Sequence, residues 1–208
     1  MKILIDNGNG KETAGKRSPD GKLQEWQYTR EIAQRIVTAL HLRGLNAELI
    51  TPELSDTPLA ERVKRVQRWC KEYGSTQVLL VSIHLNAAGD GSQWMNGTGW
   101  EAYTSPGDTS ADLLASCLYE EARKVFAART PSLKVRTDLT DGDPDKEANF
   151  YLLRKTSCPA VLTENLFMDN REDYQFLLSE EGRSAIVHLH VAGIIDYLRA
   201  KKKSSQNR

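Results

Sequence analysis

Three short apolar runs, far apart along the chain, each stop abruptly on polar side chains. Ile3-Leu4-Ile5 leads into Asp6-Asn7-Gly8-Asn9-Gly10, residues 77–83 lead into His84-Leu85-Asn86, and Ala160-Val161-Leu162 leads into Thr163-Glu164-Asn165. Near-continuous runs of β-branched residues and leucine are the mark of strands buried on both faces of a parallel sheet. Such sheets present their chemistry at the carboxyl ends of their strands. Three strand tips bearing Asn, His and Glu therefore point to one built site.

The segments between the runs are helical. Residues 25–43 carry Tyr28, Ile32, Ile36, Ala39 and Leu40 at helical spacing, with Gly44 as a stop. Thr57-Pro58 reads as a helix start, with Thr57 as the cap and Val63, Val66, Cys70 and Tyr73 following. Helices are also expected over 110–128, 171–178 and 183–199, and strands over 47–50 and 99–103. Weaker strand signals fall at 133–135 and 150–153. Residues 7–24 form a long glycine-punctuated loop, and a loop of that length inside a compact domain is usually functional. The acidic stretch 138–147 reads as a surface loop. Strands alternating with long helices predict an α/β three-layer sandwich, a mixed but mostly parallel sheet with helices on both faces. One domain over residues 1–200 and a frayed basic tail over 201–208 account for the chain.

The 28 basic and 28 acidic residues cancel, so no broad field steers the protein toward nucleic acid or an anionic membrane. No run approaches the ~20 apolar residues of a membrane helix. The opening Met1-Lys2-Ile3-Leu4-Ile5-Asp6 has no secretory character, which predicts synthesis in the cytoplasm without a signal peptide. The three cysteines, Cys70, Cys117 and Cys158, are odd in number and widely spaced, and fit neither a disulfide framework nor a paired-cysteine zinc site.

His84 at a strand end is either a metal ligand or a satisfied structural histidine. Glu164, one step past an apolar strand, is either a carboxylate poised by desolvation to act as a general base or one paired with an arginine such as Arg154. Glu25 either complements the start of its helix or reaches a metal. Asn86 either orients a substrate or caps a turn. His188 and His190 lie about 200° apart on a helix and cannot share a metal; with His41 they read as structural. Cys158 is a conceivable nucleophile, but no neighbouring sequence feature activates it.

Taken in order, Asp6-x-Gly8-x-Gly10, Glu25, Ser82-Ile83-His84-x-Asn86, Gly99-Trp100-Glu101-Ala102-Tyr103, Pro159-Ala160-Val161-Leu162-x-Glu164 and Phe167-x-x-Asn170-x-x-Asp173 resemble the zinc-dependent N-acetylmuramoyl-L-alanine amidases of the amidase-3 family, which cut peptidoglycan. The loop Thr13-Ala14-Gly15-Lys16-Arg17-Ser18-Pro19-Asp20-Gly21 is similar to that of phage or prophage members. The resemblance implies a zinc ion held by residue 9, Glu25 and His84, with Glu164 as the catalytic carboxylate and the substrate approached by Asn86. It implies peptidoglycan as the partner, a monomer, and action on the cell wall after release through a phage-made membrane pore.

Residue 9 departs from the family pattern, in which it is histidine. A neutral carboxamide oxygen suits calcium or magnesium better than zinc, so Asn9 predicts weakened zinc binding and impaired hydrolysis. The change is a deliberate inactivation, a natural variant that binds wall without cutting it, or one compensated by Asn7 or Asp6. The alternative reading is thus a non-catalytic peptidoglycan-binding module on an amidase scaffold. A dinucleotide site is excluded by spacing: after Gly8-Asn9-Gly10 the next glycine is Gly15, and no helix opens there. A serine hydrolase lacks its G-x-S-x-G elbow.

Overall fold

The computed structural model describes residues 1–128, 133–140 and 142–206. Among these, six strands form one sheet in the order β2-β1-β3-β6-β4-β5. They are β1 (Lys2–Asn7), β2 (Asn46–Leu49), β3 (Val78–Asn86), β4 (Glu101–Thr104), β5 (Lys146–Glu147) and β6 (Ala160–Phe167). The first four strands of that order run parallel; β4 is antiparallel to β6, and β5 is parallel to β4. The helices are α1 (Glu25–His41), α2 (Leu59–Tyr73), α3 (Asp112–Ala127), α4 (Tyr151–Lys155), α5 (Arg171–Leu178) and α6 (Glu180–Gln206). This is the expected three-layer α/β sandwich.

Strand alternation builds the two cores. Ile3, Ile5, Leu79, Val81, Ile83 and Val161 point to the layer of α1, α3 and α6, packing against Ile32, Leu118 and Leu189. Leu4, Val78, Leu80, Ala160 and Leu162 point the other way, onto Val66 and Cys70 of α2 and Leu152 and Leu153 of α4. By the same parity Asp6, His84 and Glu164 fall on the α2/α4 face, beyond the last apolar residues of their strands.

Several expectations are corrected. Residues 150–153 are not a strand: Phe150 precedes α4, whose Leu152 and Leu153 are buried. Of 133–135, only Val135 makes a bridge, to Trp100. Thr57 does not cap α2, which starts after Pro58 without a side-chain cap; the Thr57 hydroxyl reaches Glu53 at 3.5 Å. The tail is helical through Gln206, continuing α6, and residues 207–208 lie outside the described residues. The last central strand runs past Thr163 to Phe167. A register shift between His84 and Asn86 accompanies Leu166 at φ 70°, a conformation that costs a non-glycine residue roughly 1–2 kcal/mol and here re-aims the strand end.

Candidate active site

Parallel pairing of β3 with β6 sets His84 beside Glu164, and antiparallel pairing of β4 with β6 sets Glu101 on the other side of Glu164. Glu25, the first residue of α1, is delivered beneath them by the long loop, its backbone N–H donating to the Lys16 carbonyl at 3.0 Å. One oxygen of Glu25 accepts from the Leu85 N–H at 3.1 Å and meets His84 Nδ1 at 3.1 Å. The other is enclosed without a partner. Glycine is required at position 8, because a Cβ there would lie 2.3 Å from the His84 ring. Asn9 follows at φ 60°, a left-handed conformation that asparagine tolerates, and the Arg30 guanidinium clamps its carbonyl at 2.9 Å.

Asn9, His84 and Glu164 line one cleft of about 560 Å³. Glu164 has one oxygen enclosed without a hydrogen-bond partner. Burial, with Glu25 and Glu101 close by, outweighs the pull of His84 and Lys16 and pushes its carboxyl up to about 7. Burial opposes charge on His84, but Glu25, Glu164 and Asp6 prevail and raise its pKa above the ordinary value. The structure therefore gathers Asn9, His84 and Glu164 around one cleft and sets Glu25 against His84.

Asp6 and Asn7 do not offer themselves as substitutes for residue 9. Asp6 accepts from Arg62 at 2.6 Å and from Ser82 at 2.6 Å, and Asn7 accepts from the Thr51 hydroxyl at 3.0 Å. Arg62 and Thr51 escaped the sequence reading, which carried Ser82 only as part of a motif. The signal was there for Arg62, an arginine at helical spacing between Leu59 and Val66 on an apolar stripe. Also missed was the shell of Glu101, which accepts from Asn86 at 2.7 Å, Tyr103 at 3.0 Å, Arg136 at 2.7 Å and Lys146 at 2.5 Å. Asn86 thus spends one amide hydrogen on Glu101, while its oxygen accepts from the Ala87 N–H at 2.9 Å.

The remaining histidines are placed elsewhere. His41 meets the Ala47 carbonyl at 2.7 Å, and buried His190 sits between Thr163 at 2.9 Å and the Ile186 carbonyl at 2.7 Å. Cys158 lies at the start of β6, the opposite end from Glu164, and burial raises its thiol pKa, so it is no nucleophile for this cleft.

The donor set gives a clear test for a zinc ion. Adjacent donors of tetrahedral zinc, each about 2.0–2.1 Å from the metal, lie roughly 3.3 Å apart, so the 3.1 Å between His84 Nδ1 and Glu25 suits two ligands. The third does not follow: among the described residues no group of three His, Cys, Asp or Glu side chains is arranged to hold a metal. With Asn9 in place, the residues present do not fit a three-ligand zinc site.

The fold and sequence have close counterparts. A solved amidase, AmiC2 of Nostoc punctiforme, superposes with a TM-score of 0.77 at 26% identity, covering 96% of this chain and 97% of that one. An N-acetylmuramoyl-L-alanine amidase from Clostridium difficile 630 shares the fold with a TM-score of 0.80 at 21% identity, over 96% and 97% of the two chains. The amidase CwlM of Bacillus licheniformis is 31% identical over 99% of this chain and 72% of its own length. The endolysin of Bacillus phage SPP1 is 28% identical over 97% and 68%. The N-acetylmuramoyl-L-alanine amidase family model matches residues 3–196, and the chain belongs to that family.

Proposed function

We propose that this protein recognises peptidoglycan at the amide between the lactyl group of N-acetylmuramic acid and L-alanine, on a scaffold built to hydrolyse it. The observation that carries this reading is Glu164: a carboxylate at the cleft, one oxygen free, its pKa pushed up to about 7. A group with a pKa near the working pH can both take a proton from water and return it to a departing amine. Asn86 has a second amide hydrogen to offer a substrate carbonyl. The likeness to a phage endolysin supports a lytic role at the cell wall, and action as a monomer after release from the cytoplasm fits that role.

Zinc would supply the Lewis acid of this chemistry, and with Asn9 in place of histidine this chain lacks the third ligand for it. Even neighbours of metal ligands typically cost ~10–100-fold in affinity or activity when changed, so hydrolysis here is expected to be impaired at least that much. Position 9 is backbone-compatible with repair, because histidine also tolerates the left-handed region. The test compares the chain with its Asn9→His variant, measuring zinc by elemental analysis and release of soluble muropeptides. The variant should gain stoichiometric zinc and lytic activity. Wall binding by both forms with zinc and lysis in neither would overturn hydrolysis in favour of a binding module.

A further inference from the structure

One wall of the cleft has no role in the chemistry above. Phe150 and Tyr151, at the start of α4, line it together with Leu59, at the start of α2, and Leu162 of β6. All three rim side chains are open to solvent, at 38%, 39% and 51%, and apolar side chains grouped at the rim of a cleft mark an interaction site. Phe150 is held in place by an edge contact with Tyr103, ring centroids 5.2 Å apart, and Tyr103 is anchored in turn by its hydroxyl on Glu101. The platform is therefore rigid and linked to the residue beside Glu164.

Charge narrows what can lie there. Asp6, Asp56 and Glu164 line the cleft, and its guanidinium, Arg62, is already committed to Asp6, to the Asn7 carbonyl at 2.7 Å and to the Thr57 carbonyl at 2.8 Å. A stem peptide bearing free carboxylates would meet this like charge where the lining guanidinium is already committed. A neutral sugar ring meets no such penalty, because one face is C–H and packs on aromatic and aliphatic surface, while its hydroxyls stay at the wet rim. We propose that the Phe150–Tyr151–Leu59 wall is a saccharide subsite, taking the neutral N-acetylhexosamine units of the glycan strand and leaving the peptide to the opposite side of Glu164. This rests on the peptidoglycan reading and adds the direction in which substrate lies.

Binding of two probes to the unaltered Asn9 chain tests it, since binding needs no turnover: a peptide-free N-acetylglucosamine tetrasaccharide and the free dipeptide L-alanyl-D-glutamate, with whole peptidoglycan as a third sample. The tetrasaccharide should bind, Phe150→Ala should weaken it about tenfold, Leu59→Ala about threefold, and Phe150→Trp should retain it; the dipeptide should be insensitive to all three. Should Phe150→Ala fail to fold, Phe150→Leu keeps apolar bulk without the ring and should show the same loss. Dipeptide binding that falls with Phe150 while tetrasaccharide binding does not would overturn the subsite. So would peptidoglycan binding undiminished by Phe150→Ala. Failure of all three samples to bind would overturn the subsite and the peptidoglycan reading together.

Discussion

Glu101 and Glu164 are neighbours across the antiparallel β4–β6 pair, and the same side chain has opposite fates in them. Glu101 is 2% exposed. Burial alone would raise its pKa, but Lys146, Tyr103 and Arg136 outweigh burial and hold it below the ordinary glutamate value. Glu164 has no such shell, and burial lifts it to about 7. A carboxylate surrounded by donors is a fixed anion that organises its neighbours; one desolvated without them keeps a proton to exchange. What separates structure from chemistry here is the supply of donors, not the residue type or the depth.

The largest effect that could break this contrast is on turnover. In the Asn9→His chain, Glu164→Gln should lower muropeptide release by ~10²–10⁴, the usual worth of a positioned proton-transfer group, while zinc content stays unchanged. Parent activity should rise with pH as Glu164 ionises, with a midpoint below the metal-free value of about 7 because a zinc ion nearby favours the carboxylate. The stability effect has the opposite sign. A carboxyl whose native pKa exceeds its ordinary value of 4.5 stabilises the fold fully below that value and loses the contribution as pH rises toward 7. In the metal-free Asn9 chain, Glu164→Gln should therefore gain stability relative to the unaltered protein between pH 5 and 8, read as denaturant midpoints. A variant that lost stability at pH 8 would show Glu164 to be a fixed anion like Glu101.

Glu101→Gln sharpens the other half. It removes a charge that four donors share, and hydrogen bonds to charged groups are worth about 1.5–3 kcal/mol. Arg136 and Lys146 are 39% and 24% exposed and can turn to water, so a loss of about 2 kcal/mol is expected at pH 7. Because the native pKa of Glu101 is lowered, its contribution is present above the ordinary value and disappears as pH falls through the native one. The two variants should thus give pH–stability differences that slope in opposite directions. Asn86 would lose its anchor as well, raising KM more than it lowers kcat in the Asn9→His chain.

Much of this site was legible from sequence because parallel strands bury both faces, so that a run of Ile, Leu and Val followed by Asp6, His84 or Glu164 announces a strand tip. Glu25 was legible for a different reason, as the first helical residue after an unusually long glycine-rich loop. The donors of Glu101 were not, since Arg136 and Lys146 come from segments without apolar periodicity and only β4 and β5 pairing brings Lys146 close. Phe150-Tyr151-Leu152-Leu153 misled because a short apolar run carries no period that distinguishes strand from helix. The far end of β6 was hidden for a related reason: Glu164 and Asn165 interrupt the apolar run, although Asn165 is wholly buried, its oxygen accepting from Trp100 Nε1 at 2.9 Å.

The smallest effect tests strand parity itself. Thr163 precedes Glu164 and so faces the α6 side, where its hydroxyl meets His190 Nε2 at 2.9 Å. The Ile186 carbonyl at 2.7 Å can only accept, which places the ring proton on Nδ1 and makes Nε2 the acceptor of the Thr163 hydroxyl. Burial pushes His190 down to about 4, so the ring is neutral at pH 7 and no charge is at stake. Thr163→Val keeps the shape and strips that single donor, leaving a buried nitrogen unpaired at a cost of about 1–2 kcal/mol. The midpoint of denaturant unfolding should fall accordingly, and the pH dependence of turnover in the Asn9→His background should not move. A displaced pH profile would mean that the two sides of β6 are coupled through the strand, and that the proton affinity of Glu164 is set by more than its own cleft.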